Sequence, residues 1–201
     1  MTGSQLDGAW SETCVIGITA VGGTSNMAFH AITETVDIDI GNKDFDVIAT
    51  LSGARVVKFT PQEPTTITFE AYPQRAGTAS GSTGEGFFGM MQTESTVEPL
   101  DIDTDNTRTK HRVAIMWTNL STATTAEQEI GTNYAALRVV AANGYFTSVK
   151  PSFTDGILKF TVTYKVPPFN ESGTANVAIQ STDVTGATLT ALASYTSTTN
   201  W

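Results

Sequence analysis

One cysteine, two histidines and eleven basic residues are a thin supply of reactive groups for a chain of 201 residues. A single thiol, Cys14, excludes an internal disulfide. It alternates in phase with Ile16 and Ile18, which points to a core thiol rather than a nucleophile paired with histidine. With only Cys14, His30 and His111 to draw on, spread widely along the chain, a zinc site of nitrogen and sulfur ligands is excluded too. Lys and Arg number 11 against 20 Asp and Glu, a net charge of −9. Such a balance provides no basic groove for phosphates and repels DNA. No apolar run is long enough to span a bilayer. The opening MTGSQLDG has neither a basic region nor an apolar run, so no signal peptide is expected and the chain reads as a soluble cytosolic product. G-x-S-x-G, the Walker lysine and H-E-x-x-H are all missing. The glycines between Gly77 and Gly86 follow no strand pattern and open no helix, so they form no phosphate cradle. No cofactor is expected.

What the chain has instead is Thr, Ser and Gly, which fill the space left by a charged content of only 15%. Thr favours pleated, half-buried surfaces. The segment Asp155 to Ser172, DGILKFTVTYKVPPFNES, opens on an Asp-Gly turn and alternates strictly. Phe160, Val162, Tyr164 and Val166 take one face, while Lys159, Thr161, Thr163 and Lys165 take the other. Pro167 and Pro168 end it because neither donates to a ladder. Further strands are expected over Glu12–Val21, Phe29–Ile40, Phe45–Leu51, Arg55–Thr60, Thr65–Tyr72, His111–Thr118, Tyr134–Ala142, Tyr145–Val149, Ala175–Ile179 and Ala187–Ser194. Pro61-Gln62-Glu63-Pro64 reads as a hairpin connection, Asn143-Gly144 as a tight hairpin turn, and Ala123–Gln128 as a helical turn. No helix is long enough to cross between parallel strands. The expected fold is all-β, an antiparallel β-sandwich with a long loop insertion and at most one short helix. It forms one domain over 1–201, with an extended loop at about 75–110.

Two groups of residues raise the question of binding. Asp101, Asp103 and Asp105 in DIDTDN resemble the first half of a calcium loop, but Asn106 and Arg112 stand where an EF-hand needs Gly and Glu. A solvated acidic loop and a structural cation site both remain open. Trp10, Trp117 and Trp201 suggest a sugar-binding face, although Trp117 shares the phase of Val113 and Ile115 and so reads as core. The sequons at Asn119 and Asn170 read as chance. Polar strand faces are more extensive. Thr33, Thr35, Asp37 and Asp39 share one, as do Thr66, Thr68 and Glu70. These are ordinary solvent faces or, in an assembly, the wall of a pore to which DNA would not adhere.

The segments DFDVIATLSGARVVKFTPQEPTTITFEAYP and LKFTVTYKVPPFNESGTANV resemble those of tail tube proteins of tailed viruses, siphovirus-like and in particular archaeal. The order of a Gly-Arg hairpin, a T-F-E-A-Y-P strand, an extended loop and an F-x-V-x-Y-K strand ended by prolines carries the likeness, over about a quarter of the chain. The resemblance implies a β-sandwich with flanking loops and a small helix. It implies hexameric rings stacked into a tube, with one sheet of each subunit joining a continuous barrel around the lumen. It implies a non-enzymatic virion protein, made in the host cytoplasm and resident in the tail. Its partners would be itself, other tail proteins and passing viral DNA bound without sequence specificity, with no membrane. On this reading Phe87, Phe88, Met90 and Met91 contact a neighbouring subunit, or else form a satellite core, and Trp10 and Trp201 serve stacking. Thr33, Thr35, Asp37, Asp39 and Glu70 face the lumen, and Lys159 and Lys165 pair an acidic neighbour. The rival reading is a carbohydrate-binding or adhesive β-sandwich module.

Overall fold

The computed structural model describes residues 13–22, 27–29, 35–71, 110–182 and 186–196. Ten strands run through them: β1 (Thr13–Ala20), β2 (Met27–Phe29), β3 (Val36–Asp39), β4 (Phe45–Ala49), β5 (Arg55–Phe59), β6 (Thr65–Ala71), β7 (His111–Thr118), β8 (Ala136–Thr154), β9 (Ile157–Val166) and β10 (Val177–Thr182). Every pairing is antiparallel. The fold is all-β, with no helix among the described residues. Eight strands form one sheet in the order β2-β1-β7-β8-β9-β6-β3, with β10 also on β8, while among the described residues β4 and β5 pair only with each other.

The long strand β8 makes two layers out of this one sheet. Its first half pairs β7 and β10, and its second half pairs β9. The expected hairpin at Asn143-Gly144 does not occur, because the chain runs straight through both residues. A type I′ turn needs positive φ at both central positions, and only Asn143 has it, at 60°. His111 faces Gly144 while Val113 faces Ala141, so β8 carries one extra residue there. That is a bulge, and bulges bend strands. Contacts from afar hold it: the Asn143 N–H donates to the Tyr195 hydroxyl at 2.8 Å, and its side-chain amide donates to Asn176 Oδ1 at 2.8 Å. Glycine follows because a Cβ at position 144 would overlap the Tyr164 ring and the Lys165 carbonyl. Gly144→Ala should therefore destabilise the fold by about 1–3 kcal/mol, as overpacking does. The check is a lowered urea midpoint, and an unchanged one would refute the account. The Asp155-Gly156 turn forms as expected, with φ of 53° and 79° and Thr154 opposite Ile157.

The core lies between the layers. Ile16, Ile18, Val113 and Ile115 from one layer meet Ile67, Phe69, Phe160, Val162 and Tyr164 from the other. Period-2 alternation in β6 and β9 thus marks the buried face correctly, and Trp117 packs at its border, as does half-buried Cys14. The Tyr164 hydroxyl lies 2.8 Å from the His111 carbonyl and 3.0 Å from that of Ala141. Burial raises the Tyr164 and Tyr195 hydroxyls above the ordinary tyrosine value. Both stay protonated in the fold where the unfolded chain begins to ionise. Their stability contribution is therefore intact below about pH 10 and falls above it, by about 1.4 kcal/mol per pH unit for each tyrosine. Urea unfolding at pH 9 and pH 11 should show that decline, and Tyr195→Phe should lessen it; equal slopes in both proteins would refute it.

The β1-β7-β8 layer is covered on its other face as well. Ala114, Met116 and Val140 pack under Ala126, Ile130 and Leu189. The covering segments are not the expected elements. Residues 123–128 form turns rather than a helical turn, and residues 187–194 make a single bridge, Leu189 to Ile130, rather than a strand. Buried charge ties them down instead. Arg138 is 0% exposed and donates to the carbonyls of Ala126, Gln128 and Thr190 and to Gln180 Oε1. Arg112 reaches the Ala193 carbonyl at 2.8 Å and Glu127 Oε1 at 3.1 Å. Gly17 lies directly beneath, where a Cβ would press on Thr125 and Glu127.

Candidate assembly surfaces

The β4–β5 hairpin stands apart from the sheet. Pro61–Pro64 does not join β5 to β6 as a hairpin, since β5 pairs β4 from Ala49–Arg55 to Phe45–Phe59, and β6 pairs β3 and β9. At the hairpin's neck the chain comes so close to itself that a Cβ on Gly41 would overlap the Glu63 carbonyl. At its tip, Gly53 turns the chain with φ 81° and Leu51 is fully exposed. Cross-strand register puts Phe45, Val47, Val57 and Phe59 on one face and Asp46, Ile48, Val56 and Lys58 on the other. All the apolar members are about half exposed, Phe59 at 61%. Its rings contact one another and a lysine: Phe45 and Phe59 meet edge to face at 6.3 Å, and Lys43 Nζ lies 5.3 Å over Phe59. A lone two-stranded hairpin is marginal in water. One that exposes large apolar side chains on both faces is a candidate contact surface. The signal in the sequence was the adjacent apolar pairs Val47-Ile48 and Val56-Val57, which put apolar side chains on both faces where strict alternation would leave one polar.

A second surface is the outer face of β3-β6-β9-β8. Cross-strand rows run Asp39, Thr66, Lys165, Tyr145; then Asp37, Thr68, Thr163, Ser148; then Glu70, Thr161, Lys150. Thr35 is exposed beside them, its carbonyl accepting the Glu70 N–H at 3.2 Å. The structure thus gathers Thr35, Asp37, Asp39 and Glu70 on one hydroxyl-rich face. Lys159 pairs an acidic neighbour within its own chain, Glu70 Oε2 at 2.7 Å. Lys150 joins this face through the second half of β8, which runs on to Thr154, past the expected strand end at Val149. Thr33, Trp10, Trp201, Phe87, Phe88, Met90, Met91, Asp101, Asp103, Asp105 and the loop at about 75–110 lie outside the described residues, apart from Lys110.

No protein-family model matches the sequence, and no curated protein matches it. Among solved structures the chain is similar to one in the sheath–tube complex of an extracellular contractile injection system, PVC, in its extended state. That match has 15% identity and a TM-score of 0.45, covering 85% of this chain and 89% of that one. A chain of the anti-feeding prophage baseplate aligns at 8% identity and a TM-score of 0.47, over 87% of this chain and 95% of that one. Hcp1 of E. coli EAEC 042 aligns at 11% identity and a TM-score of 0.37, over 85% and 97%.

Proposed function

We propose that the chain is a structural subunit of a virus tail tube, self-assembling into rings, six to a ring, that stack around a lumen. The observation that carries this reading is the β4–β5 hairpin. Its strands and turn, FDVIATLSGARVVKF, lie within one of the two segments that resemble tube proteins. A projecting hairpin with Phe45, Val47, Ile48, Leu51, Val56, Val57 and Phe59 in water is explained by a neighbouring copy that covers it. The face of β3-β6-β9-β8 supplies a second requirement of a conduit. Its hydroxyls and its balanced lysines and carboxylates offer phosphates no continuous basic track, so DNA would slide past without sequence-specific contact. Within this reading the tube belongs to a virion with a long, flexible, siphovirus-like tail. Its interactions are with itself and other tail proteins, it needs no cofactor, and its role is mechanical rather than enzymatic. Phe87, Phe88, Met90 and Met91, with Trp10 and Trp201, would extend the contacts between subunits.

Electron microscopy of the purified protein tests the proposal. Stacked rings or tubes with six-fold class averages are the expected result. A monodisperse monomer at every concentration and ionic strength would sink it.

A further inference from the structure

The core-side alternation of β8 and β9 outlasts the core. Phe160, between Pro151 of β8 and Ala71 at the end of β6, is 4% exposed. One row further on, Leu158 and Phe153 face each other on the same side, 43% and 72% exposed. The opposite layer ends alike. Ile16 and Ile115 are buried, and the next row, Cys14, Trp117 and Leu137, is only half-buried. Both rows lie at the strand ends remote from the bend at Asn143-Gly144. The two layers therefore part there with apolar side chains on both lips. We propose that residues 1–12 close this mouth within the same chain, the Trp10 ring seated on Phe153 and Leu158. The closure needs no second copy, so it stands or falls apart from the tube reading, and it gives Trp10 a contact inside its own chain before any between subunits.

Three features select this occupant. The first is where the segment joins. Residues 1–12 lie outside the described residues and meet them at Thr13, one position from Cys14 on the lip. Trp10 stands four residues before Cys14, no more than about 13 Å of extended chain. Packed sheets are about 10 Å apart, so a side chain carried on one lip can cross to the other. The second is phase. Trp10 shares the parity of Cys14, Ile16 and Ile18, which face the core. A chain entering β1 in strand phase turns Trp10 toward the gap and away from the outer face that Leu189 covers. The third is chemistry. Trp10 is the one aromatic residue among residues 1–12, and the lips offer it Phe153, Leu158, Trp117 and Leu137. An indole covers a large apolar area and keeps its N–H at a wet rim.

A double-mutant cycle of thermal unfolding tests the closure, run on the full chain at concentrations where it sediments as monomer. Trp10→Ser and Phe153→Ser should each lower the melting temperature by about 4–8 °C, and the two together by little more than either alone. Trp10→Phe, which keeps a ring, should recover most of the loss. The single thiol gives an independent readout: Cys14 should react faster with a thiol reagent in Trp10→Ser than in the natural chain. Additive losses would overturn the proposal, as would an unchanged melting temperature and thiol rate in Trp10→Ser. Coupling that appears only at concentrations where the chain associates would overturn it in favour of a neighbouring copy as the cover. Coupling of Phe153 to Phe87 or Phe88 instead of Trp10 would overturn it in favour of that segment. A chain that shows the coupling and never assembles would keep the closure and lose the tube reading.

Discussion

Glu127→Ala should lower the stability of the chain by about 3–5 kcal/mol, the cost of stranding a buried charge. Glu127 is 2% exposed and Arg112 is 1% exposed. Both Nε and Nη2 of Arg112 approach Glu127 Oε1, at 3.2 and 3.1 Å, and the Thr19 hydroxyl donates to the same carboxylate at 2.8 Å. Without the carboxylate, the Arg112 guanidinium keeps the Ala193 carbonyl and the Tyr195 ring but no countercharge among these contacts. Arg138 suffers as well. Burial pushes its guanidinium down to about 10, Glu127 works against that, and Arg112 adds to it. Removing Glu127 leaves two buried cations without their shared anion. For a domain of this size the loss corresponds to a fall in melting temperature of roughly 6–20 °C. A shift of under about 2 °C would disprove the assignment. The double variant Arg112→Met, Glu127→Leu removes both charges and should recover much of the loss, since apolar replacement of a whole buried pair is often neutral. A double-mutant cycle of thermal unfolding separates the pair's coupling from the packing of its stems.

The hairpin should behave in the opposite way, with assembly lost and stability kept. Phe45→Ser combined with Phe59→Thr removes the two rings that meet at its base, and Val47→Asp with Val57→Lys places an opposite-charge pair where two apolar side chains now face each other. These side chains are half in water and belong to neither core cluster. Unfolding free energy should therefore change by no more than about 0.5 kcal/mol. Anchoring aromatics at interfaces contribute about 2 kcal/mol or more each, so each lost ring should raise the concentration needed for assembly about thirtyfold. Sedimentation across a concentration series measures both variants. Assembly at unchanged concentration would show that the hairpin is not the contact; a large drop in unfolding free energy would show that it belongs to the fold.

Strands with one wet face were legible in the sequence. In β6 and β9, core and solvent sides alternate residue by residue, so the buried set and the polar face holding Glu70, Thr161 and Thr163 follow from period alone. Asp155-Gly156 was legible because a two-residue turn between alternating strands has a local cause. Asn143-Gly144 has the same local chemistry and a different outcome. Tyr164, Asn176 and Tyr195, all distant in sequence, decide that the chain bends there without reversing. The expected hairpin there splits β8 in two, and a second part ending at Val149 leaves Lys150 off the polar face. Pairing of β5 was misread for a related reason. Two prolines marked a connection to β6, while the turn at Thr50–Ala54, closed by the Thr50 N–H donating to the Ala54 carbonyl at 2.8 Å, selects β4. Arg112, Arg138 and Glu127 could not be found at all by pattern, because charged residues are ordinarily solvated. Their burial depends on carbonyl acceptors that only the folded chain assembles.

The way Arg138 and Arg112 hold the segment of residues 186–196 has a bearing on how that segment can change. They take hold of it through the main-chain oxygens of Thr190 and Ala193, which every amino acid possesses. Leu189 and Tyr195 fill buried positions, but Thr188, Thr190, Ala191 and Ser194 point into water. Natural variation can therefore drift freely at those four positions while the grip stays constant. An experimenter gains four exposed places for a fluorophore or an affinity handle, none of them in the β4–β5 hairpin.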